Sequence, residues 1–269
     1  MGTLYGDVTG KCGELILRKG RQGGKLKILA LDSSGLVASV ALAEDDNLIA
    51  EYTVQYKKTH SQTLLPMLQD IVRMVELDLS TVDAIAVAAG PGSFTGLRIG
   101  SATAKGLAFA LEKPIVSVPT VDGLAYQMYG AKDLVCPIMD ARRNQVYTGI
   151  YEFVPDRAGR FVYDMRVIRE QCAVSFDEAA EALNQLDRSV IFLGDGVPVF
   201  RERMEQLMRV PYTAAPLHRA RQSAAAIAAL GRLYYEQGRM VEGAAFVPEY
   251  LRLSQAERER KEKERGEPL

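Results

Sequence analysis

The segment that most constrains this chain is Gly90-Pro91-Gly92-Ser93-Phe94-Thr95-Gly96-Leu97-Arg98. It is set between the apolar run Ala84 to Ala89 and a helix-like stretch from about Leu97 to Leu111. Glycines crowded where a strand hands over to a helix let backbone approach something closely. That something is either a phosphate held on amides at the helix N-terminus or another stretch of protein. The P-loop form is excluded, because no Lys-Ser or Lys-Thr follows the last glycine. The dinucleotide form fails as well: Gly92 and Gly96 have one residue too many between them. Ile115 to Val118 reads as a further strand, so the order strand, loop, helix, strand calls for a parallel pair.

Behind the loop, Gly96, Gly100 and Ala104 lie four apart, and Ala102, Gly106 and Ala110 form a second row of small residues. A helix face without bulky side chains admits a neighbouring helix close to its backbone. Leu97, Ile99, Leu107 and Phe109 supply apolar contact around it. The spacing fits tight packing within the chain and a contact with another subunit equally well.

The flanking sequence supplies the fold class. Lys27 to Asp32, Leu36 to Ala43 and Asn47 to Val54 are strand-like runs with short polar gaps, which predicts an antiparallel meander. Thr59-His60-Ser61-Gln62 has capping-box spacing, and Leu64, Leu65, Leu68, Ile71, Val72 and Val75 recur at helical steps. Pro66 inside this helix is expected to kink it. After Pro119 a similar order restarts. Leu134 to Met139 and Gln145 to Phe153 flank Asp140-Ala-Arg-Arg-Asn144, and a strand follows near residues 161–168. Ser175-Phe-Asp-Glu178 opens a second capped helix, Val190 to Leu193 is a strand, and a helix from Ser223 stops at Gly238. Strands of both orientations around helices make an α/β chain with mixed sheets. Its two halves each begin with an Asp-bearing hairpin, an order expected of the actin-like ATPase (ASKHA) architecture: residues 27–119 as one lobe and 120–253 as the other.

Composition narrows the chemistry. The 269 residues carry a formal charge of −1, but 22 basic face 27 acidic residues between Ile28 and Leu253. Such a body is poorly suited to grip nucleic acid by itself. Residues 1–26 are rich in glycine and basic residues and read as a flexible appendage or an early start site, with a basic arm for a partner as the alternative. Residues 254–269 form a charged tail, with nine consecutive charges from Glu257 to Arg265. Cys12, Cys136 and Cys172 are scattered, as in a reducing cytosol, and a cytoplasmic location is expected. No run of about 18 apolar residues occurs, so no membrane span is expected. With only His60 and His218, 158 positions apart, a His-rich metal site and a Ser-His nucleophile pair are both poor candidates. Neither Ser93 nor Ser101 sits in Gly-x-Ser-x-Gly.

Asp32 and Asp140 each end an apolar strand before a small turn. In an actin-like fold such carboxylates face metal and phosphate from the two lobes; as turn carboxylates they cap loop amides instead. Together with Ser33, Ser34 and the short Gly194-Asp195-Gly196, they outline a nucleotide site that is degenerate at best. Asp140-Ala141-Arg142 lacks the glycine a phosphate loop wants.

Leu29-Ala-Leu-Asp-Ser-Ser34, Thr59-His-Ser-Gln62 leading to Leu65-Pro66, the nine-residue glycine segment and Asp140-Ala-Arg-Arg-Asn-Gln-Val-Tyr147 occur in this order. In this the chain closely resembles the TsaB (YeaZ) family, over roughly Lys27 to Leu253. The resemblance implies a subunit that serves synthesis of threonylcarbamoyladenosine at position 37 of tRNA. It implies heterodimerisation with a metal-bearing catalytic paralogue, TsaD, joined by the ATPase TsaE, with threonylcarbamoyl-adenylate as donor. It places the dimer surface on Leu64, Leu65, Leu68, Ile71 and Val72 of the first helix. On the second helix it places that surface on Leu97, Arg98, Gly100, Ser101, Ala104 and Leu107.

The sequence itself lacks the His-x-x-x-His metal motif of TsaD. The expectation is therefore a non-catalytic scaffold with no metal and no intrinsic cofactor. ATP or ADP and Mg would act only at the level of the complex, tRNA would be met indirectly, and the isolated chain would homodimerise. Peptidase activity, a label once given to related proteins, is not expected. The rival expectation is a weak ATPase or kinase using Asp32 and Asp140.

Overall fold

Two five-stranded sheets share one strand order. In the computed structural model, which describes residues 24–56, 58–156, 159 and 162–252, the first sheet runs β3-β2-β1-β4-β5. Its strands are β1 (Lys27–Asp32), β2 (Ala38–Glu44), β3 (Asn47–Val54), β4 (Ala84–Ala88) and β5 (Ile115–Val118). The second is built from β6 (Leu134–Asp140), β7 (Gln145–Pro155), β8 (Tyr163–Ser175), β9 (Val190–Leu193) and β10 (Tyr212–Ala214), in the order β10-β9-β6-β7-β8. In each, the first three strands form an antiparallel meander and the last two add in parallel on the other side of the first strand. The duplicated, mixed-sheet α/β architecture expected of an actin-like fold is therefore present.

In the first lobe, α1 (His60–Met74) and α2 (Phe94–Leu111) lie side by side on one face of the sheet. Leu64, Met67, Leu68, Ile71, Ala104 and Ala108 are the buried side chains through which they meet Leu29, Leu31, Val40 and Val87. In the second lobe, α4 (Phe176–Gln185) and α6 (Arg201–Leu207) cover the matching face, with the four-residue helix α5 (Gly196–Val199) between them in the chain. The opposite faces are covered by exchange. Helix α3 (Thr120–Tyr126), which follows the last strand of the first sheet, packs Val121 and Leu124 on the second sheet. Helix α7 (Ala224–Glu236), which follows the last strand of the second sheet, packs Ile227, Ala228 and Leu230 on Ile28, Ala30, Ala86 and Val118 of the first.

Packing does not follow chain order across the 120–253 segment. By packing, the second lobe ends near Ser223, and the chain then returns to the first. The length of the last segment hid this, because nothing in an apolar 3.6-residue period says which sheet a helix covers. Leu26, placed within the 1–26 stretch by the sequence, is buried, and its amide donates to Asp45 Oδ1 at 2.9 Å. Residues 1–23, including Cys12, and the charged tail lie outside the described residues.

Local signals fare unevenly. Helix α1 starts after Thr59, but Thr59 makes no side-chain cap; its Oγ1 pairs with Ser61 Oγ instead, and the helix runs on through Pro66. Ser175 does cap α4, accepting from the Glu178 amide at 3.2 Å, while the Glu178 carboxylate turns away to Arg169. Helix α2 begins at Phe94 rather than Leu97, because Ser93 Oγ accepts from the Gly96 amide. Ser223 caps α7, and Gly238 takes the left-handed conformation just beyond it. Helices α3, α5 and α6 and the short β10 had no counterpart in the sequence reading.

Candidate functional site

Gly92 and Gly96 of the nine-residue segment, and Gly100 in the helix behind it, are used up by protein. A Cβ on Gly92 would lie 2.2 Å from the Ser34 carbonyl oxygen, and one on Gly96 would lie 2.1 Å from that of Ser33. A Cβ on Gly100, one turn on, would lie 2.4 Å from Ser33 Oγ. Hydrogen bonds fix the contact: the Ser93 amide donates to Ser34 O at 2.7 Å and Ser33 Oγ donates to Gly96 O at 2.9 Å. The loop therefore wraps the turn that follows β1. The same device recurs in the second lobe, where the Gly194 and Gly196 positions press on Ile138 O at the end of β6. Both glycine turns hold the end of the central strand of their lobe.

That packing decides the state of the two aspartates. Asp32 is buried, and its Oδ1 accepts from the Ser34 amide and from Ser34 Oγ at 2.9 and 2.6 Å. Burial pushes its carboxyl up to about 6, against the opposing pull of the Ser34 hydrogen bonds. Asp140 lines the cleft between the lobes, where its carboxylate faces Arg142 at 3.3 Å and accepts from the Arg142 amide at 2.8 Å. Asp195 Oδ1 accepts from the Asp140 amide, and burial raises the Asp195 carboxyl above its ordinary range. The structure thus brings Asp140 and Ser34 to the cleft, with Asp32 sealed behind the turn and Ser33 spent on α2. Gly194 and Gly196 face backbone of their own lobe. Of the six residues expected to outline a degenerate nucleotide site, Asp140 and Ser34 therefore line the cleft and Asp32 does not.

The cleft itself encloses about 570 Å³. It is lined by Tyr56 and Lys58 before α1 and His60 at its start, by Ser93 to Leu97, by Asp140 to Arg143 with Tyr147, and by Glu249 to Arg252. His60 Nε2 lies 2.9 Å from Gly35 O, and Ser93 Oγ is occupied as a helix cap. Neither group is arranged as a base or nucleophile toward the other. Arg142, Arg143 and Asn144 all have positive φ, near 64°, 54° and 57°, and this tight turn places the two arginines at the cleft rim. Among the described residues, no three His, Cys, Asp or Glu side chains gather as a metal site.

The second candidate is the outward side of α1 and α2. Of the expected contact residues, Leu64, Leu68, Ile71, Leu97, Gly100, Ser101 and Ala104 are buried within this chain. Val72 and Leu107 are partly buried, and Leu65 and Arg98 are exposed. The exposed residues are instead Arg98, Ala102, Gly106, Phe109 (87% exposed) and Ala110 along one side of α2, with Leu65 and Met74 (50% and 78% exposed) on opposite flanks of α1. Of the two small-residue rows, the inner one is packing and the outer one is free. Arg98 carried the signal that separates them, since a charge one turn before Ala102 marks the solvent side.

Comparison with known proteins follows the same lines. Residues 47–260 match the family model described as "TsaD: tRNA N6-adenosine threonylcarbamoyltransferase". The tRNA threonylcarbamoyladenosine biosynthesis protein TsaB of Bacillus subtilis is 35% identical over 234 residues, 86% of this chain and 96% of that protein. The Haemophilus influenzae protein of the same name is 32% identical, over 84% and 94% of the two chains. YeaZ from Pseudomonas aeruginosa superposes with a TM-score of 0.70 at 31% identity, covering 84% of this chain and all of that one. A second Pseudomonas aeruginosa structure, described as an uncharacterized protein similar to the peptidase YeaZ, gives a TM-score of 0.71 at 30% identity, with the same coverage. With its glycine segment wrapped on the β1 turn and relatives matched almost end to end, the chain belongs to the TsaB (YeaZ) family.

Proposed function

We propose that this chain is a non-catalytic docking subunit in tRNA threonylcarbamoyladenosine biosynthesis. It would pair through the outward side of α1 and α2 with a TsaD-like, metal-bearing catalytic paralogue. The observation that carries the reading is the free row Ala102, Gly106 and Ala110, with exposed Phe109 on the same side of α2. Apolar side chains of this size left in water next to a smooth helix edge favour helix-on-helix docking. The sealed position of Asp32 argues against the rival ATPase or kinase, which would need that carboxylate at the phosphates. On this reading a TsaE-like ATPase joins the pair, nucleotide and Mg act at the level of the complex, and tRNA is met through the partner. Alone, the same face would bring two copies together.

The test is Gly106→Arg, at a position where an added Cβ meets nothing within 4 Å. The variant will fold as the parent does, yet its affinity for the co-expressed catalytic paralogue will fall by on the order of 100-fold, because a charge is driven into an apolar contact. Undiminished co-purification and undiminished tRNA modification would overturn the assignment. Gly100→Arg cannot serve, since it would strike Ser33 in the core.

A further inference from the structure

We propose that residues 247–252 form a releasable latch that holds the two lobes together across the mouth of the cleft, and that its release lets the lobes swing apart. The segment leaves the core of the first lobe at Phe246, which is 2% exposed among Leu29, Ile85 and Ala108. It then runs without helix or strand between the lobes. On the first-lobe side, the Glu249 amide donates to Ala89 O at 2.7 Å, and Tyr250 lies against Phe94 with ring centroids 4.9 Å apart. The Arg98 guanidinium covers the Phe94 ring at 4.3 Å. On the second-lobe side, Gln171 Nε2 donates to Glu249 Oε2 at 2.7 Å, and Arg252 donates to Ala141 O in the β6–β7 turn. One short peptide thus touches both lips of the cleft.

Its seat is built for it. A Cβ on Gly90 would stand 2.2 Å from Glu249 O, so this glycine, the one not engaged by the Ser33-Ser34 turn, is bare where the latch crosses it. The hold is nonetheless of the kind that opens. Val247 is 72% exposed and Tyr250 39%, so little apolar area is buried, and the polar contacts lie near solvent, where water competes for them. The interior is tied differently. There Asp122 is buried and accepts from Tyr151 OH of β7 and Tyr234 OH of α7 at 2.7 and 3.3 Å, joining the two lobes inside the molecule. A buried tie in the interior and a surface tie at the mouth of the cleft are the elements of a hinge.

The full chain can be labelled with spin probes at exposed Asn47→Cys and Glu205→Cys, with Cys12 and Cys172 replaced by serine, and amide exchange followed on the same samples. Two variants release the latch from opposite sides: Tyr250→Ala, and Gln171→Ala with Arg252→Ala. The parent should show one narrow interlobe distance. Both variants should shift it longer and broaden it. Exchange at the Glu249 amide should rise at least roughly tenfold in Tyr250→Ala and stay near the parent rate in the other. Amides of Leu29 to Leu31 should keep their protection in both, which separates release from unfolding. An unchanged distance distribution in both variants would overturn the proposal, whether or not the Glu249 amide exchanges faster.

Discussion

At Gly96 the distance from a would-be Cβ to a backbone carbonyl is 2.1 Å, and Ser33 cannot retreat without dragging β1. Gly96→Ala should therefore cost about 1–3 kcal/mol by overpacking. Gly106→Ala, on the open side of the same helix, should stabilise by roughly 0.5–1 kcal/mol through helix propensity. Urea denaturation of the two variants against the parent measures both. Asp32 supplies a second residue-level test. Its folded carboxyl titrates near 6, above an ordinary value of 3.8, because burial disfavours the charge. Between those values the folded state holds more protons than the unfolded one, so stability falls as pH rises from about 4 to 6 and is flat beyond. The ionised form costs on the order of 2–3 kcal/mol at neutral pH. Asp32→Asn keeps an acceptor for the Ser34 amide and hydroxyl. It should gain stability over the parent at pH 7.5 and lose most of that advantage at pH 4, again by urea denaturation. A variant no more stable at pH 7.5 than at pH 4, relative to the parent, would show that burial is not what governs this carboxyl.

Element by element, the sequence was readable where one physical cause acts alone. The meander, β4, β5 and β9 follow from apolar runs bounded by turns, and α4 and α7 from serine caps that do form. Helix α2 shows where reading stops. Both of its sides carry small residues, so periodicity finds two rows and cannot rank them; the ranking comes from the Ser33-Ser34 turn, where Ser33 meets Gly96 from 63 residues away in the chain. The same distance hid the purpose of the glycines. Their spacing departs from the known nucleotide motifs, but that they clasp the β1 turn and the 247–252 segment is a tertiary fact. At Thr59 a capping-box pattern marked the helix start without forming the cap, since the hydroxyl found Ser61 first. In the cleft, Asp140 was legible and the closure over Asp32 was not.

For the molecule as a whole, the exchange of α3 and α7 between the lobes has an energetic consequence. The face of the first sheet bearing Ile28, Ala30, Ala86, Val116 and Val118 is covered by Ala224, Ile227, Ala228, Leu230 and Tyr234, all of which arrive from beyond the second lobe. Removing that helix would return several apolar side chains on each side to water. At about 25 cal/mol per Å², a few hundred Å² of such surface amounts to several kcal/mol. A domain is stable by only about 5–15 kcal/mol, so the loss is comparable to the whole margin. A fragment of residues 24–119, the unit that chain order suggests as a lobe, should therefore fail to reach a native state. Expressed alone it should show poorly dispersed amide resonances and bind a hydrophobic dye. Supplying residues 214–252 as a second polypeptide should restore dispersion, because those residues carry α7 and Phe246, which seals the other face. If 24–119 folded cooperatively by itself, with sharp resonances and a steep urea transition, the two lobes would be independent units and α7 merely a cover. If the pair of fragments restores the native spectrum, the lobes are mutually dependent halves of one fold.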